Sequence, residues 1–85
     1  MAKVEIYTRW TCGYCYRAKR LLDMRGVEYD ETSVDGDQRA RAEMIQRANG
    51  RSTVPQIFID GRHVGGCDDL FKLEESGELA RLLAA

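Results

Sequence analysis

The sequence predicts an α/β domain: a four-stranded mixed β-sheet flanked by three main α-helices, in the order β-α-β-α-β-β-α. Three observations carry this reading. The chain opens on Val4-Glu5-Ile6-Tyr7, which alternates as a half-buried strand does. A helical pattern then runs to Gly26, a residue suited to the position just past a helix end. Further on, Asp60-Gly61 separates two β-rich runs, the two-residue signal of a hairpin.

Each element has its own local reason. Lys3 to Thr8 reads as the first strand, with Val4, Ile6 and Thr8 on one face. A short loop leads into a helix from about Gly13 to Arg25, whose apolar positions are Cys15, Ala18, Leu21, Leu22 and Met24. Val27 to Val34 reads as the second strand, with Tyr29 among its β-formers. Asp37 is the candidate N-cap of a helix through about Ala48, which Asn49-Gly50 ends. Val54 to Ile59 is strand-like, and Arg62 to Val64 returns beside it. Gly65-Gly66 breaks that run, and a last helix begins near Cys67-Asp68, with an interruption expected at Gly77 before Leu83. The first β-α-β unit should be a right-handed parallel crossover.

The length of 85 residues allows one domain, residues 1–85, with a modest core. A hydrophobic content of 44% with 32% charged residues fits a soluble globular chain. No apolar run approaches the roughly 20 residues that span a bilayer. The N-terminus carries neither an apolar signal-peptide core nor a small-residue cleavage site, so a cytoplasmic protein without membrane contact is expected. Thirteen basic and 14 acidic residues give a net charge of −1, which argues against a nucleic-acid partner. Lys3, Arg9, Arg17, Lys19, Arg20 and Arg25 nevertheless crowd the first 25 residues against Glu5 and Asp23. That run is either a solvated face or a basic collar around one site.

The chemistry concentrates in the cysteines. Three of them, in a chain expected in a reducing compartment, do not make a disulfide scaffold. Cys12 falls where the first strand ends and the first helix begins, and Cys15 lies one turn inside that helix. Unpaired N–H groups and the helix dipole stabilise a thiolate at Cys12, and Arg9, Arg17 and Lys19 can add positive potential. Cys12 should therefore attack and the more buried Cys15 should resolve. Two other readings stand beside this one: a zinc site joining Cys12 and Cys15 to His63 and Cys67, and a pair of inert structural cysteines.

Three segments together resemble the glutaredoxin family along essentially the whole chain. They are Thr11-Cys12-Gly13-Tyr14-Cys15, Thr53-Val54-Pro55-Gln56-Ile57-Phe58-Ile59 and Gly65-Gly66-Cys67-Asp68-Asp69-Leu70, and they look like the small bacterial dithiol members. The resemblance implies a thioredoxin-like fold, a cis Val54–Pro55 bond and glutathione as reductant. It implies that Thr53, Val54 and Pro55 border the glutathione, Val54 offering its backbone to the tripeptide as an added strand would. Gly66, Cys67 and Asp68 would hold its γ-glutamyl end, at a helix head with a carboxylate beside it. Arg9 and Arg41 are expected to meet the glycine carboxylate, and Tyr14 to flank the bound sulfur. Cys67 is expected to serve as a backbone contact and His63 to be a surface residue. Gly13 departs from the proline usual between Cys12 and Tyr14 in dithiol members, and glycine there is looser.

Three functions are consistent with these residues. The first is a glutathione-dependent reductase of protein disulfides and of protein–glutathione mixed disulfides. The second is a module holding a [2Fe–2S] cluster between two subunits, with glutathione as an added ligand. The third is a dedicated electron donor to ribonucleotide reductase served by thioredoxin reductase, against which the Gly65-Gly66-Cys67-Asp68 segment argues. A monomer is expected, or a dimer when a cluster bridges it.

Overall fold

A computed structural model describes residues 2–84. Strand β1 (Val4–Thr8) leads through a loop into helix α1 (Gly13–Met24), and β2 (Asp30–Ser33) returns parallel to β1. Helix α2 (Gln38–Arg47) crosses to the hairpin of β3 (Gln56–Ile59) and β4 (Arg62–Gly65). Helices α3 (Cys67–Ser76) and α4 (Glu78–Ala84) complete the chain. The sheet order is β2-β1-β3-β4, with β3 antiparallel to both of its neighbours. This is the expected mixed sheet and thioredoxin-like fold. The last helix is divided at Gly77, where φ of +82° ends α3 in the left-handed conformation that glycine adopts freely.

Strand alternation sorts the side chains into two cores. Val4 and Ile6 of β1 and Ile57 and Ile59 of β3 pack with Ala18, Leu21 and Leu22 of α1, Leu70 of α3 and Leu79 of α4. Tyr7 and Phe58 point the other way and are covered by Met44 and Ala48. Full burial of a side chain such as Leu22 or Ile6 is worth about 1.5–3 kcal/mol. Helix α2 is fastened to this second face by Arg47, whose guanidinium donates to both Glu5 carboxylate oxygens at 3.0 and 3.1 Å and to the Tyr7 hydroxyl at 3.0 Å.

Four local expectations are corrected. Met24 is 76% exposed, because the buried face of α1 ends at Leu22 and Met24 lies about 200° further round the helix. The second strand is only Asp30–Ser33; the Val27 amide bonds the Leu22 carbonyl, which holds residue 27 to the helix end and leaves Tyr29 outside the ladder. The third strand starts at Gln56, since Pro55 has no N–H to offer a ladder. His63 is partly buried: its Nε2 lies 2.6 Å from Gln56 Oε1, its ring is 5.2 Å from that of Phe58, and burial holds its pKa below the usual value. Among the described residues no helix is long and apolar enough to cross a membrane.

Candidate active site

Cys12 is the N-cap of α1. Its backbone is extended, and its sulfur accepts a hydrogen bond from the Cys15 amide at 3.1 Å. Cap positions favour side chains that accept from these first amides, and a thiolate fills that role with a full charge. The Cys12 sulfur also lies 3.8 Å from the Val54 carbonyl oxygen, where its S–H can donate. It is the accessible one of the three thiols, since Cys15 and Cys67 are buried. Burial, and then the hydrogen bond with Cys12, push the Cys15 thiol up to about 12; the Arg9 backbone and Lys19 oppose this more weakly. Burial likewise raises the Cys67 thiol. One sulfur is therefore accessible at a helix head, and its neighbour is a buried, neutral thiol.

Beside Cys12 runs a groove of about 280 Å³. Thr53, Val54 and Pro55 form one wall, and the Val54–Pro55 bond is cis, as the resemblance implied. Gly66, Cys67 and Asp68 form the other, at the head of α3, and Tyr14 closes the end nearest the cysteines. Seven of the residues expected around glutathione thus share one groove. Arg9 and Arg41 are not among its lining residues. The Arg9 Nε lies 3.8 Å from an Asp35 carboxylate oxygen, and Arg41 is in the first turn of α2 with its amide bonded to the Asp37 carbonyl.

Arg51 and Asp69 line the groove, and sequence reasoning missed both. The Asp69 carboxylate accepts from the Gly66 amide at 2.9 Å and from Arg51 Nη1 at 3.0 Å. The amide bond and then Arg51 hold the Asp69 carboxyl below the usual carboxylate range. Gly66 and Asp69 stand at N-cap and N3, the spacing of a capping box, which was the available signal. Because Asp69 performs the cap, the exposed Asp68 carboxylate is not used in capping α3. Gly65 is required by this arrangement: its φ is +122°, and a Cβ there would overlap the Asp69 carboxylate, 2.7 Å from its Cγ.

The basic collar is largely engaged. Lys19 pairs with Glu31 at 3.0 Å, and the Arg17 guanidinium lies 5.3 Å from the centre of the Phe71 ring. Trp10, Tyr14 and Tyr16 are exposed in the segments flanking Cys12. Among the described residues no three His, Cys, Asp or Glu side chains converge on a metal position, and His63 is engaged with Gln56. A larger cleft of about 530 Å³, between β4 and helices α3 and α4, contains no thiol. The chemistry these residues suit is sulfur exchange, with the Cys12 thiol 3.8 Å from the Val54 carbonyl of one wall and a helix head able to hold a carboxylate in the other.

The chain is similar to known proteins in sequence and fold. The family model described as Glutaredoxin matches residues 4–64. The chain is 58% identical over 83 residues to Glutaredoxin 3 of Escherichia coli strain K12, covering 98% of this chain and 99% of that one. The solution structure of a glutaredoxin from Brucella melitensis superposes with a TM-score of 0.85 at 53% identity, covering 98% of this chain and 89% of that one. The crystal structure of a buckwheat glutaredoxin–glutathione complex superposes with a TM-score of 0.89 at 32% identity, covering 98% and 77%.

Proposed function

The chain belongs to the glutaredoxin family, and from that premise we propose that it is a glutathione-dependent thiol–disulfide oxidoreductase with Cys12 as nucleophile and Cys15 as resolving thiol. The observation that carries this is the contrast between two sulfurs one helical turn apart. Cys12 is accessible and bonded to a helix-head amide, whereas Cys15 is buried and neutral.

With a protein–glutathione mixed disulfide, the Cys12 thiolate attacks the glutathione sulfur. The protein sulfur leaves with the electron pair and takes up a proton. A second glutathione thiolate then attacks the glutathione sulfur bound to Cys12, giving glutathione disulfide and free Cys12. With a protein disulfide, Cys15 attacks the Cys12 sulfur of the mixed disulfide and closes a Cys12–Cys15 bond, which two glutathiones reopen. The groove supports the choice of glutathione. Its cis-Val54–Pro55 wall fits an extended tripeptide backbone. The α3 head with Asp68 fits a group bearing both a carboxylate and an ammonium, as the γ-glutamyl end does. Arg51, paired with Asp69 at that same end, adds a cation beside the carboxylate there. Such a cycle belongs in a reducing cytoplasm. A dimer bridged by a [2Fe–2S] cluster would have to draw ligands from outside one chain, since none of its described residues converge as a metal site.

The test is a glutathione-coupled assay on a glutathionylated protein and on a protein disulfide. Turnover of both with glutathione supports the reading. Turnover only when thioredoxin reductase supplies the electrons overturns it.

A further inference from the structure

Cys15 must become a thiolate to attack, yet it is 1% exposed and its burial opposes the charge. The groups that face it come from two places. The loop after β1 brings the Arg9 backbone, and α1 brings Cys12 and Lys19. Cys15 and Lys19 are four residues apart on α1, so their side chains share one face of the helix. Lys19 Nζ lies 3.0 Å from Glu31 Oε2 on β2, and that same oxygen accepts from the Thr8 hydroxyl at 2.6 Å. Thr8 is buried at the end of β1. Tyr29, just ahead of β2, is the other titratable group close to Lys19. A connected series of contacts, Thr8 to Glu31 to Lys19, therefore ends on the residue one helical turn along α1 from the resolving thiol and involves neither wall of the groove.

We propose that Lys19, oriented by Glu31 and Thr8, is a positioning residue for the resolving step, its ammonium offsetting the charge that forms on Cys15. This role rests on Cys12 attacking first and Cys15 resolving. In that step the Cys15 S–H gives up its proton, and a bond forms between the two cysteine sulfurs. The bond from Cys12 to the substrate sulfur breaks with its electron pair, and the departing thiolate takes up a proton. The substrate is reduced by two electrons and the cysteine pair is oxidised by two. Lys19 accepts no proton: its bond to Glu31 holds its pKa above the usual value, so it acts as a fixed charge. Glu31 is no base either, its carboxyl being lowered first by the Thr8 hydroxyl and then, against the opposing effect of burial, by Lys19.

The effect has a predictable size. A further rise of one unit at Cys15 lowers its thiolate fraction tenfold, while the more basic thiolate recovers about threefold through its greater nucleophilicity. The net loss is about threefold per unit, so removing the ammonium should slow resolution by about 3- to 10-fold.

Stopped-flow mixing of the reduced protein with Ellman's reagent separates the two sulfurs. Attack by Cys12 releases one thionitrobenzoate, and resolution by Cys15 releases the second. Lys19→Met should leave the first phase unchanged, slow the second by about 3- to 10-fold and move its pH dependence upward, with Lys19→Arg restoring most of the rate. An unchanged second phase in Lys19→Met overturns the assignment, and so does an equal slowing of both phases, which would place Lys19 in the service of Cys12 or of the fold. Cys15→Ser should release a single thionitrobenzoate. A second release from that variant overturns Cys15 as the resolving thiol, a failure distinct from that of Lys19.

Discussion

The Cys15 amide donates a 3.1 Å hydrogen bond to the Cys12 sulfur, while the Cys15 thiol is buried from solvent. One residue thus donates to the accessible sulfur through its backbone while burial keeps its own sulfur neutral. Burial dominates the second effect, and the helix head supplies the first.

This asymmetry predicts opposite outcomes for two similar substitutions. Cys12→Ser should abolish turnover of every disulfide substrate. Cys15→Ser should keep release of glutathione from mixed disulfides and lose most reduction of protein disulfides. Rates on the two substrate types, measured side by side, check it; an active Cys12→Ser enzyme would reverse the roles.

At the groove, Asp68→Ala and Arg51→Ala should each weaken glutathione use by about 1 kcal/mol, or about fivefold in KM, with little change in thermal stability. The modest size follows from the exposure of both side chains. Glutathione titrations of each variant provide the measurement, and unchanged KM values in both would move glutathione elsewhere.

Gly65→Ala should destabilise the fold by about 1–3 kcal/mol, because its backbone sits at φ +122° and the new methyl would meet the Asp69 carboxylate. Displacing Asp69 also strips the cap from α3, so glutathione affinity should fall with stability. Urea unfolding of Gly65→Ala checks the first effect; a variant as stable as the parent contradicts it.

Acid should destabilise the protein through three carboxyls held below their ordinary values. Glu5 is lowered first by the Arg47 hydrogen bonds, Glu31 by the Thr8 hydroxyl and Asp69 by the Gly66 amide. Each favours the folded state fully above its unfolded pKa of about 4, and that contribution is lost as pH falls through the lower folded value. Stability should hold from neutral pH to about pH 5 and decline below about pH 4. Arg47→Met should cost about 1–3 kcal/mol at neutral pH and make the acid decline shallower. Unfolding free energies across this pH range decide it, and equal stability at acid and neutral pH would refute it.

The fold was legible wherever local chemistry dominates. Asp37 caps α2 with a 2.9 Å bond to the Ala40 amide, and Asp60-Gly61 turns the hairpin, both read directly from residue type. The bounds of the second strand were not legible, because an exposed edge strand needs no apolar alternation and Asp30–Ser33 shows none. The accessible thiol at the head of α1 and most of the groove lining were carried by compact motifs. Arg51 escaped because its role depends on Asp69, 18 residues away, which a linear reading does not bring beside it. The Lys19–Glu31 pair escaped for a related reason: Lys19 was counted by sign near Cys12, and its partner lies on a strand 12 residues away.

The two walls of the groove beside Cys12 are the two open ends of one hairpin. Thr53 to Pro55 lead into β3, Gly66 to Asp69 follow β4, and a single Asp60–Gly61 turn joins the strands. The hairpin therefore works as a pair of calipers whose gap is set by strand register. A slip of one residue would carry one jaw about 3.3 Å past the other. The pivot, by contrast, lies four residues from either jaw, about 13 Å along the strands. That pivot is anchored rather than free to swing, since the Asp60 amide donates to the Lys3 carbonyl at 2.8 Å and the Asp60 carboxylate accepts from the Lys3 amide at 2.9 Å just ahead of β1.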